Sequence, residues 1–132
     1  MPKTDVVLVC LKSINNDKLR EMLPPILKED TLVVLIQNGI GVEEDLQKEF
    51  PQLQIVAGLA FICSSKVSPG RVSHQCYGSI NLGNYSCKEE LFHELLKDFK
   101  KCIRWHTLIN VDLICIVSNI VAIALDDNKI SR

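Results

Sequence analysis

An α/β fold with a mainly parallel sheet, extended by antiparallel strands and packed with helices, is predicted by three features of this 132-residue chain. Two unbroken apolar runs, Val6–Val7–Leu8–Val9–Cys10–Leu11 and Leu32–Val33–Val34–Leu35–Ile36, lack the polar alternation of half-solvated strands, so they suit parallel strands covered on both faces. Between them Leu19, Met22, Leu23, Ile26 and Leu27 recur at the spacing of an amphipathic helix, which completes a strand–helix–strand crossover. Further on, Ser68–Pro69–Gly70 separates two β-favouring stretches and marks a chain reversal, hence antiparallel neighbours.

Each element has a local cause. Asn15, Asn16 or Asp17 can cap the first helix. Pro24–Pro25 ends or kinks it near Leu23, because a proline inside a helix costs ~3 kcal/mol. After the second strand, Gly39–Ile40–Gly41 opens a helix from about Val42 to Phe50, with Leu46 and Phe50 inward and Glu43, Glu44 and Asp45 complementing the helix dipole. A long strand from Gln54 to Val67 turns back through Val72–Ser73–His74–Gln75 and, past Tyr77–Gly78, Ser79–Ile80–Asn81–Leu82–Gly83. Leu91, Leu95, Leu96 and Phe99 mark another helix, opened by Ser86 with Glu89 as a capping box, and a short strand from Cys102 to Leu108 follows.

From Ile109 to Leu125 the chain is apolar almost all round, interrupted by Asn110, Asp112, Ser118 and Asn119. A membrane span needs ~20 apolar residues, and an Asp at its centre costs ~2.5–3.5 kcal/mol, so a helix buried against protein is preferred. The expected organisation is residues 1–108 as one α/β unit and residues 109–132 as an apolar helix and tail.

The net charge of −1 and 23% charged residues point away from a nucleic-acid surface and towards a small-molecule ligand. Six cysteines without C-x-x-C spacing read as reduced thiols, mostly in the core. The short lead from Met1 to the first strand leaves no room for a signal peptide, and a cytoplasmic location is the expectation.

Two residues stand out for chemistry. Parallel strands end at the same sheet edge, so Lys12 and Asn38, each just past an apolar strand, are expected together outside the carboxyl ends, where open α/β sheets bind ligands. A lysine closing a strand often merely enters water, and Asn–Gly is a common turn pair. Here, however, the residues after Asn38 are helical, which makes the turn a strand-to-helix loop at the ligand edge. His74, His93 and His106 have no partner at metal or triad spacing and read as structural or solvated. Glu44 stands where the third glycine of G-x-G-x-x-G would fall, so the Gly39–Gly41 turn is not a pyrophosphate cradle. The sequence also lacks G-x-S-x-G, H-E-x-x-H and P-loop motifs.

Taken in order, V-L-V-C-L-K-S, Q-N-G-I-G-x-E-E, V-A-G-L-A-F, P-G-R-V-S-H and G-S-I-N-L-G resemble the ketopantoate reductase (2-dehydropantoate 2-reductase) family over roughly residues 5 to 100. The resemblance implies the later part of a Rossmann-like domain of an NADPH-dependent reductase that delivers hydride to a 2-keto acid. It implies that Lys12, Asn38 and Ser64 approach the NADP cofactor, with Asn38 also reaching the substrate. A lysine suits phosphate or carboxylate, and an asparagine amide can both donate and accept.

The family's opening glycine-rich strand–helix–strand unit has no counterpart here, and Thr107 stands where a catalytic lysine would be sought. No residue inherits a catalytic role, and the expectation is a truncated member, inactive alone. A second expectation is a non-catalytic module that docks on a partner or on its own copy through the helix of residues 109–125. No metal site, nucleic-acid partner or membrane partner is expected.

Overall fold

The structure, a computed structural model, describes residues 3–102 and 120–123. Strand β1 (Val6–Val9) leads into a 3-10 turn (Ser13–Lys18) and the short helix α1 (Leu19–Met22). Strand β2 (Leu32–Ile36), helix α2 (Val42–Glu49) and the long strands β3 (Gln54–Ser68) and β4 (Arg71–Asn84) follow. Helix α3 (Glu89–Cys102) and strand β5 (Ile120–Ile123) complete the set. The sheet order is β4-β3-β2-β1-β5, with β4 antiparallel to β3 and every other pairing parallel.

The continuous apolar runs have the expected consequence. Val7, Val9, Val33, Leu35 and Ile55 point to one face, where Leu19, Leu23, Ile26, Val42 and Leu46 cover them. Their neighbours Leu8, Leu32, Val34 and Val56 point to the other, beneath Leu95 with Leu91, Phe92 and Phe99 of α3. Strand side chains alternate in direction, so a sheet clothed on both sides must be apolar at every position. Thr31 fixes the entry to β2: its buried hydroxyl donates to the Thr4 carbonyl (2.7 Å) and accepts from the Lys28 N–H (2.8 Å).

Several expectations change in the tertiary setting. The prolines do stop α1, and Leu23 is its C-cap. The capping box does not form, because Ser86 accepts from the Ile55 N–H and donates to the Leu53 carbonyl, both at 3.2 Å, tying this loop to β3. Asn84 and Gln54 instead serve the α3 entry, accepting from the N–H groups of Cys87 (2.9 Å) and Lys88 (3.0 Å). Residues 71–84 form one strand in which Tyr77–Gly78 is a bulge, with Tyr77 at φ 63°. The expected helix over 109–125 is corrected at its end, since Ile120–Ile123 is a strand paired with Val6–Val9. A β1 edge left open would expose unpaired N–H and C=O groups, and a parallel strand satisfies them where a helix would not. The rest of that stretch, and the strand expected at 103–108, lie outside the described residues.

Of the four cysteines whose side chains are described, Cys87 is buried, Cys63 is half-buried, and Cys10 and Cys76 are exposed, so they lie mostly outside the core, contrary to expectation. No helix among the described residues is long and apolar enough to cross a membrane.

Candidate functional site at the carboxyl edge of the parallel strands

The chain leaving β1 and the chain leaving β2 enclose an open crevice of about 460 Å³, lined by Cys10, Leu11, Lys12, Ser13 and Ile14 from the first and by Ile36, Gln37 and Asn38 from the second. Lys12 and Asn38 therefore share one rim of the sheet. The cause is the parallel register, Val6 beside Leu32 through Val9 beside Leu35, which brings both strands out at the same edge.

Gln37 sets the shape of this crevice. Its side-chain N–H₂ donates to the Leu11 carbonyl at 2.8 Å and to Asn16 Oδ1 at 2.7 Å, while Asn16 Nδ2 donates back to Gln37 Oε1 at 3.2 Å. The two exits are thereby cross-linked by side-chain amides. On the β1 side the chain tightens immediately into the 3-10 turn, with the Asn15 N–H donating to the Lys12 carbonyl at 2.9 Å. On the β2 side Gly39, at φ +150°, passes close to Ser13. A Cβ placed there would meet Val42 Cγ1 at 3.2 Å and the Ser13 side chain at 3.8 Å.

Electrostatically, Lys12 is the one charged side chain among the lining residues. An anion would meet an ammonium, side-chain amides and a hydroxyl. The start of α2 offers no comparable place, because Glu43, Glu44 and Asp45 fill its first turn. Glu44 pairs with Lys48 at 2.9 Å, and this hydrogen bond holds its carboxyl below the ordinary range. Desolvation by the surrounding crevice raises the Cys10 thiol above its ordinary value, which lowers its thiolate fraction near neutral pH. The apolar side chains of Ile14 and Ile40 stand exposed beside these polar groups.

Ser64 is placed elsewhere. Beyond Gly58, the last residue of β3 paired to β2, the β3–β4 hairpin continues without the rest of the sheet, and Ser64 sits on it opposite His74. Six residues of strand carry it roughly 20 Å past Gly58, so it does not join the lining of the crevice. His74 contacts the Tyr77 carbonyl oxygen through Nε2, and His93 lies 3.9 Å from the Glu89 carboxylate on the exposed side of α3. No group of three metal-ligating side chains occurs among the described residues. The Gln37–Asn16 pair was not legible in the sequence. Its members are 21 residues apart, and the only local hint is a polar glutamine directly after an apolar strand.

Comparison with known proteins agrees with this geometry. The family model described as ketopantoate reductase PanE/ApbA matches residues 1–86. A 2-dehydropantoate 2-reductase of Nostoc sp. is 50% identical over 86 residues, covering 65% of this chain and 27% of that protein. The crystal structure of 2-dehydropantoate 2-reductase from Geobacter metallireducens superposes with a TM-score of 0.68 at 35% identity, over 76% of this chain and 34% of that one. The fold, though only the fold, is also shared with D-mandelate dehydrogenase, solved as a ternary complex with NADH and anilino(oxo)acetate. That match has a TM-score of 0.66 and 22% identity, over 94% of this chain and 35% of the other. The chain thus corresponds to about a quarter to a third of the length of these relatives. With nearly two-thirds of its residues under one family model and its strands in the Rossmann-like arrangement of those structures, the chain belongs to the ketopantoate reductase PanE/ApbA family.

Proposed function

We propose that this chain provides part of the cofactor and substrate crevice of an NADP-dependent reductase that converts a 2-keto acid, 2-dehydropantoate by family, to the 2-hydroxy acid. The observation that carries the reading is the meeting of Lys12 and Asn38 on one crevice at the carboxyl edge of parallel strands. The donor set fits part of the cofactor. Lys12 suits a phosphate or carboxylate oxygen, Asn38 can donate to a keto oxygen or bond a ribose hydroxyl, and the exposed Ile14 offers an apolar surface to a planar ring. The pyrophosphate is not served by the Gly39–Gly41 turn, which three carboxylates follow.

When bound, a dihydronicotinamide supplies hydride to the keto carbon. The part of these residues is to bind and orient: Lys12 fixes an anionic group by charge, Asn38 fixes a neutral oxygen by direction, and Gln37 holds the two exits at constant separation. No described residue is assigned as the general acid, and the chain is expected to be catalytically silent on its own. Ser64 is proposed to meet a more distant part of the bound ligand from the hairpin. A cytoplasmic location follows from the same reading.

The test is a titration of the chain with NADPH followed by amide chemical shifts. Shifts should concentrate at Leu11–Ser13 and Gln37–Gly39. Lys12→Ala should weaken binding by roughly tenfold to a hundredfold, the equivalent of one hydrogen bond to a charged group at ~1.5–3 kcal/mol. Shifts that avoid both segments, or an affinity unchanged in the Lys12→Ala/Asn38→Ala variant, would overturn the assignment.

A further inference from the structure

On the hairpin that continues past the sheet, Cys63 of β3 and Cys76 of β4 are directly opposed and close enough to interact through their sulfurs, and the Cys63 thiol donates to Gln75 Oε1 at 3.3 Å. Both thiols are free; Cys76 is exposed and Cys63 half-buried. Residues directly opposed on antiparallel strands hold their Cβ atoms ~4.5–5.5 Å apart, whereas a disulfide needs ~3.5–4.5 Å, so closure requires an approach of about 1 Å. The hairpin has that give, because register shifts flank the pair between Phe61 and Ile62 and between Cys63 and Ser64. Those shifts leave Gly78 and Gln75 of β4 out of the backbone register, although the Gln75 side chain reaches across to Cys63 and Ser65, and a bulged ribbon can tilt one strand against the other more readily than a regular ladder. Two further thiols are not placed this way: Cys10 is in the crevice at the end of β1, and Cys87 donates to the Lys88 carbonyl before α3.

We propose that Cys63 and Cys76 form a cross-strand redox site that closes to an intramolecular disulfide by exchange with a low-molecular-weight disulfide such as oxidised glutathione. The thiolate of one cysteine attacks a glutathione sulfur, forming a mixed disulfide and releasing one reduced glutathione. The second thiol then loses its proton and displaces the remaining glutathione as a thiol. The pair is oxidised by two electrons, and one oxidised glutathione becomes two reduced ones. Local desolvation first, and then the neighbouring Cys63 sulfur, push the Cys76 thiol above its ordinary value, so exchange should accelerate as pH rises and thiolate accumulates. Closure would fix the register of the ribbon that carries Ser64.

The experiment equilibrates the whole chain with mixtures of reduced and oxidised glutathione, quenches with acid, alkylates the remaining thiols and maps tryptic peptides. Lys66 and Arg71 lie between the two cysteines, so trypsin separates the strands unless a disulfide joins them. The expected result is the joint loss of these two thiols out of six, with a linked peptide and no retained glutathione. In Cys63→Ser the same treatment should leave glutathione on Cys76, and in Cys76→Ser on Cys63. Retention of glutathione on either residue of the unaltered chain in place of the linked peptide would overturn the proposal, as would alkylation of both at every ratio.

Discussion

At the scale of single residues, the crevice depends on positions that are small or polar for stated reasons. Gly39 combines a φ of +150° with a Cβ direction blocked by Val42 at 3.2 Å, so Gly39→Ala brings backbone strain and a contact that must shift. A destabilisation of about 1–3 kcal/mol is expected, read as a lower urea midpoint. An unchanged midpoint would mean that the loop relaxes freely. Cys10 is a reporter of the same crevice. Its raised pKa means less thiolate than a free cysteine carries at neutral pH, so iodoacetamide should modify it slowly there. The rate should go on climbing at pH values where a free thiol has levelled off. NADPH should slow this modification if the cofactor occupies the crevice, and a rate indifferent to NADPH would count against that occupancy.

At the scale of elements, what matters is how the exits of β1 and β2 are held. Gln37→Leu removes the bonds to the Leu11 carbonyl and to Asn16 together, and a cost of about 1–3 kcal/mol is expected for the partners left unsatisfied. Because Asn16 bonds back to Gln37, Gln37→Leu and Asn16→Ala should be less costly together than the sum of the two alone. Strict additivity in a denaturation series would show that the amide pair is incidental. The same reasoning explains why α3 does not begin as its local sequence suggests. Ser86 is within reach of β3 backbone groups, and Gln54 and Asn84, remote or off-pattern in sequence, take over the helix entry.

At the scale of the whole molecule, the chain runs from β1 through β2 to β3 in one direction across the sheet, while β5 lies on the other side of β1. This order sets the carboxyl ends of β1 and β2 side by side, and the crevice opens between them at the edge where α/β sheets bind ligands. It also makes β5 the guard of the β1 edge. Successive N–H groups of a strand point to opposite neighbours, so in a Val121→Pro/Ala122→Pro variant one of the two lost donors faces β1. The expected outcome is a lower thermal midpoint, with about 1 kcal/mol lost per ladder bond, and self-association of the exposed edge in sedimentation. A monomer of unaltered midpoint would show that β5 contributes nothing to the sheet.

The crossover and the common rim of Lys12 and Asn38 were readable because they rest on local pattern. Continuous apolar strands imply a covered parallel sheet, Pro24–Pro25 must stop a helix, and parallel strands must end together. What tertiary structure alone decided involves partners far apart in the chain. Gln37 finds Asn16, Ser86 finds Leu53 and Ile55, Ser64 is carried away from the crevice on the hairpin, and Ile120–Ile123 becomes a strand because β1 has an edge to fill. Periodicity reports which face of a segment is apolar. It carries no information on which distant backbone or side-chain group will satisfy a polar atom once that face is buried.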